Sequence, residues 1–190
     1  MRIAAAIFVA LATAHAAVTT HAVYHLKTAR DATVSYNTQK NSDGSFEALT
    51  PKGNQGTLTS FKGNKDYRRI LLGYDLPAKI KDPSLIAKCV LHVPVPKDSP
   101  GQDYSLTAYT ASSNWDEDSV NGDTKITSVY ELTTVNVGKG QNPGAIDVTG
   151  ACQAAAEGKF SMYVDTSQPI VTFYSKESAG KPTFTLDLTY

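Results

Sequence analysis

The stretch DYRRILLGYDLP, residues 66–77, brings two adjacent arginines into a segment that alternates like a core β-strand. Strand side chains point to opposite faces in turn, so Arg68 is in phase with Ile70, Leu72, Tyr74 and Leu76, and Arg69 with Leu71, Gly73 and Asp75. With the first set packed inward, Arg69 and Asp75 project outward beside the flat gap at Gly73. The same alternation puts Val90 and His92 outward in KCVLHV, and Thr172, Tyr174 and Lys176 outward in IVTFYSKE. If these strands are neighbours, Arg69, His92, Tyr174 and Lys176 share one surface. A planar guanidinium grips a carboxylate through two hydrogen bonds, a tyrosine offers a ring face, and an ammonium adds charge; together they suit an acidic sugar polymer. The approach KGNKDYRR sets Lys62, Lys65, Arg68 and Arg69 against Asp66, a positive patch that salt would screen. The residue pattern leaves a plainer reading open: Arg69 and Lys176 pair with Asp75 and Glu177 as sheet-surface charges, and Tyr174 is an exposed strand former.

Other chemistries find little support. A Gly-x-Ser-x-Gly elbow, a Walker loop, a dinucleotide glycine fingerprint and a His-Glu-x-x-His pair do not occur. Of the four histidines, His15 falls in the leader and His21 and His25 near the new N-terminus, a segment expected to fray rather than bind metal. WDEDSVNGD lacks EF-hand ligand spacing and reads as a solvated acidic turn. Trp115, the single tryptophan, is expected to close the core with its indole N–H bonded to a backbone carbonyl. Cys89 and Cys152 are either a disulfide, which a secreted context permits, or two buried thiols.

The opening MRIAAAIFVALATAHA has the basic start, apolar run and small residues of a secretory leader, with cleavage expected after Ala16. Residues 17–190 then form one domain. Lysine plus arginine equal aspartate plus glutamate, 18 each, so bulk charge favours neither nucleic acid nor an anionic membrane. Short runs rich in Val, Ile, Thr, Tyr and Phe recur between Gly, Pro, Asn and Asp clusters: DATVSYN, GTLTSFK, YRRILLGYDL, IAKCVLHVPV, YSLTAYTAS, KITSVYELTTVNV, GAIDVT, FSMYV, IVTFYS and TFTLDLTY. The one helical stretch is GACQAAAEG, residues 150–158. This pattern predicts an all-β protein, a two-sheet antiparallel jelly-roll β-sandwich with one short helix.

Five segments in order, RRILLGYDLP with IAKCVLHV, then SSNWDEDSV, IDVTGACQAAAEGK and VTFYSKESAGKPTFTLDL, resemble the blocks of the DNRLRE domain, also classed as carbohydrate-binding module family 96. The resemblance covers residues 31–190 and implies a secreted, free-standing, non-catalytic jelly roll whose partner is a polysaccharide, alginate-like uronic acid polymers above all. Beside the resemblance, no membrane or nucleic-acid partner is expected, and the chain is expected to be a monomer. The chain departs from the family pattern at Asn121, near where a second tryptophan is usual, at Gly73, often long and charged, and at Lys176, commonly arginine. No cofactor is expected beyond a structural calcium where first and last strands meet, at Asp31 and Asp187. Two other functions remain open: a lyase using Arg69, His92 and Tyr174 for β-elimination, and a wall or adhesion protein that binds no sugar.

Overall fold

Strand pairing sorts the chain into two antiparallel sheets. The computed structural model describes residues 21–190 except 38, 39, 41, 43, 45, 64, 65, 99, 128, 168 and 169; the leader and Lys65 lie outside the described residues. The smaller sheet runs β1 (Val23–Lys27), β11 (Thr185–Thr189), β5 (Lys88–Val93) and β8 (Gly144–Asp147). The larger runs β10 (Val171–Tyr174), β3 (Thr57–Lys62), β4 (Tyr67–Asp75), β9 (Lys159–Thr166), β6 (Tyr104–Ala111) and β7 (Glu131–Val137), with β2 (Arg30–Ser35) also paired to β4. The chain passes repeatedly from one sheet to the other, and the facing orders 1-11-5-8 and 4-9-6-7 are those of a jelly roll.

Alternation explains the main core. Ile70, Leu72 and Tyr74 from β4, with Phe160, Met162 and Val164 beside them on β9, meet Cys89, Leu91, Leu186 and Leu188 from the small sheet. Helix α1 (Thr149–Gln153) packs against β5, and Cys89 is joined to Cys152 by a disulfide across that contact. The helix is shorter than the expected 150–158, because Glu157 and Gly158 both adopt positive φ, at 52° and 73°, in a tight turn closed by pairing of Ala156 with Lys159.

Two segments differ from expectation. The segment around His25 does not fray: β1 pairs along its length with β11, from Val23 opposite Thr189 to Lys27 opposite Thr185, because Tyr24 and Leu26 alternate onto the core. The long run 125–137 is a strand only from Glu131; ahead of it Thr127 and Tyr130 are tied irregularly to the end of β6, Ser112 N–H donating to Thr127 O and Thr110 N–H to Tyr130 O.

The large sheet also buries its outer face. Ala32, Val34, Leu71, Ala111 and Tyr163 point away from the main core, and Trp115 and Val120 from the 112–127 segment cover them as a second apolar cluster. Gly73 leaves the room: a Cβ there would lie 3.0 Å from the Trp115 ring. The indole N–H donates to Ser161 Oγ at 3.0 Å, a side-chain hydroxyl rather than the expected carbonyl, and the Arg30 guanidinium lies 4.6 Å above the ring. Gly122 makes a similar approach, since a Cβ would meet Ser35 O at 2.2 Å.

Candidate functional site

The four residues expected on one surface occupy three different places. Arg69 does emerge from the outer face of β4, but into a cage. Its Nε donates to Asp165 Oδ1 at 2.9 Å, and its guanidinium lies 3.8 Å from the Tyr163 ring centroid, 5.0 Å from Tyr109 and 5.7 Å from Tyr67. Tyr67 donates to the other Asp165 oxygen at 2.6 Å. Only 11% of the Arg69 side chain is exposed, so its charge is spent internally. Burial opposes that charge, and the bond to Asp165 outweighs it. The partner is thus Asp165, one strand over, and not Asp75, which is exposed at the end of β4 opposite Lys159.

His92 is on the other sheet. Its Nε2 lies 2.9 Å from Asp187 Oδ2, while His25 Nδ1 lies 2.6 Å from Asp187 Oδ1, so one carboxylate joins β1, β11 and β5 across the solvent side of the small sheet. His25 and His92 foremost hold the Asp187 carboxyl below its ordinary range.

Tyr174 and Lys176 fall at the end of β10. The Lys181 ammonium sits 5.5 Å above the Tyr174 ring. Lys176 Nζ pairs with Glu117 Oε2 at 2.9 Å and also with Glu177 Oε1. Burial opposes its charge, and these bonds outweigh that and raise its pKa. Lys176 N–H donates to Asp31 Oδ2 at 2.8 Å, and Asp31 N–H donates to Glu117 Oε1 at 2.7 Å. Asp31 is 1% exposed. Burial, reinforced by Glu177 and Glu117, pushes its carboxyl up to about 7. Asp31 and Asp187 therefore do not share a site: the first strand does pair with the last, but Asp31 belongs to β2 in the opposite sheet.

The lyase set separates for the same reason, with Arg69 and His92 on different sheets and Tyr174 at the end of β10. Burial first, then Asp165 beside Tyr67 and Tyr109, raises the phenols around Arg69; Tyr163 is raised by burial and by Tyr36. A tyrosine base needs the opposite shift.

A cleft of about 710 Å³ opens at the end of the large sheet. The 112–127 segment forms one wall, with Ser112, Ser113 and Asn114, and the turn after α1 forms the other, with Glu157 and Lys159. Tyr130, 53% exposed, lines it. Tyr130 is hidden in the sequence because KITSVYELTTVNV alternates like one long strand; the break is marked by Val129 and Tyr130, two successive large side chains that are both exposed. Asp165 carried a weak signal too, being in phase with Tyr163 at the end of FSMYVD.

The family model for carbohydrate-binding module family 96 matches residues 16–188. The chain belongs to that family. The module is also 35% identical over 132 residues to an uncharacterized secreted protein of Arthroderma benhamiae, a match covering 68% of this chain and 66% of the relative. The module thus spans just under two thirds of that relative's length. Among the described residues no helix is long and apolar enough to cross a membrane.

Proposed function

We propose that the module is non-catalytic and binds an acidic cell-wall or matrix polysaccharide, with a sugar seated in the cleft beside Tyr130. The observation that carries this reading is a half-exposed tyrosine lining a recess that also offers hydroxyls, an amide and one ammonium, Lys159, beside one carboxylate, Glu157. A sugar ring presents apolar C–H bonds to an aromatic face while its hydroxyls need polar partners at the edge, which Ser112, Ser113 and Asn114 offer. Lys159 is the cation available there for a uronate carboxylate. Arg69 is engaged by Asp165 among Tyr67, Tyr109 and Tyr163, away from the cleft lining, and Lys176 by Glu117 and Glu177.

A second reading has a specific observation behind it: both expected cations are neutralised internally, which favours a neutral glycan held by stacking. Affinity electrophoresis in alginate, pectate and neutral glucan gels, at low and high salt, separates them. The acidic reading expects retardation by alginate or pectate that weakens with salt, with Tyr130→Ala and with Lys159→Ala, while His92→Ala behaves as the parent. Salt-independent retardation by glucan alone supports the neutral reading. A folded sample retarded by no gel overturns both.

A further inference from the structure

Two of the buried side-chain oxygens without a hydrogen-bond partner fall in one place, where β2, the 112–127 segment and the turn after β10 meet. One is Asp31 Oδ1, on a residue 1% exposed; the other is Ser175 Oγ, on a residue fully buried. Ser175 immediately precedes Lys176, whose N–H donates to Asp31 Oδ2 at 2.8 Å. Asp31, Glu117 and Glu177 each offer an oxygen such that the three lie within 4.8 Å of one another. Lys176 is the cation that reaches this group, pairing with Glu117 and Glu177 but meeting Asp31 only through its backbone N–H. Three carboxyl groups around one ammonium, with a buried Asp31 oxygen that has no donor, are unfavourably placed unless something positive sits among them.

We propose that Asp31, Glu117 and Glu177 hold a calcium ion, with Asp31 Oδ1 as the innermost ligand and Ser175 Oγ able to complete the shell. The donors are all oxygen, with no histidine or cysteine among them, which selects a hard cation over zinc or copper. They come from three separate chain segments rather than one preformed loop, and calcium tolerates such an irregular, many-ligand shell where magnesium demands a near-ideal octahedron and keeps its water. Bound there, the ion fastens β2 to the segment carrying Trp115 and to the turn carrying Lys176. Lys176 shares Glu117 and Glu177 with the ion and so competes with it.

The test uses the full mature chain freed of divalent ions with a chelator, then titrated with calcium alone and with magnesium alone. Calorimetry should find one calcium per chain, and the melting temperature should rise by roughly 5–10 °C at a hundredfold excess over Kd. Asp31→Asn and, as a partly exposed position that should fold regardless, Glu177→Gln should each weaken calcium binding by about tenfold or more, whereas Lys176→Met should tighten it severalfold. No heat and no thermal shift at millimolar calcium overturns the proposal, as does calcium binding unchanged in a folded Glu177→Gln variant. Because the readouts involve no glycan, their failure leaves the reading of the Tyr130 cleft untouched, and a silent gel assay leaves this one untouched.

Discussion

The outer faces of the two sheets follow the same alternation and end up in opposite conditions. On the large sheet the outward residues include Ala32, Val34, Leu71 and Tyr163, too apolar to leave in water, so the 112–127 segment covers them and a paired charge, Arg69 with Asp165, is sealed among tyrosines. On the small sheet the outward residues of β1, β11 and β5 include His25, Asp187 and His92, which stay on the solvent side and form a chain of polar contacts. An outward position therefore says nothing about exposure until it is known what covers the sheet. A cation on a covered face is structure, while one on a bare face or a cleft rim, such as Lys159, remains available.

The contrast can be broken hardest at Arg69. Arg69→Ala leaves Asp165 buried without its ion pair, an expected loss of about 3–5 kcal/mol in denaturant unfolding, whereas Arg69→Met combined with Asp165→Leu should recover most of it. If the single variant costs no more than a surface substitution, the charge pair is not sealed. Next comes the cover itself: Trp115→Ala opens a cavity above Gly73, strips Ser161 Oγ of a donor and should cost about 3–5 kcal/mol by the same assay.

The smallest effect belongs to the bare face. The folded-state pKa of Asp187 is depressed, so its contribution is present above the ordinary value of 3.8 and is lost as pH falls through the depressed one. Asp187→Asn should accordingly flatten the acid limb of stability below about pH 4 while leaving Arg69→Ala as damaging as before. An acid limb identical to the parent's would mean that the two histidines do not act on this carboxylate.

Most of the fold could be read in advance. The strands, the short helix and the sandwich follow from a period of two and from turn residues, both local properties. What could not be read was β1, whose VYHLK looks like any polar tail until β11 is there to pair with it, and the break before Glu131. The site was less legible. Arg69 was placed on the correct face of its own strand, but its partner Asp165 is 96 residues away. His92 and Tyr174 had equally correct local phases and the wrong neighbours.

By itself, then, the order of amino acids determined which side chains share a face of each strand, that two greasy faces would meet, and which family the chain resembles. It did so because alternation is imposed by the geometry of the backbone within a few residues. Only the tertiary structure decided that Arg69 and His92 lie on opposite sheets, that Lys176 is held between Glu117 and Glu177, and that Asp31 rather than Asp187 joins them. Those are matters of strand order and loop placement, set by contacts between residues far apart in the chain, about which local periodicity carries no information.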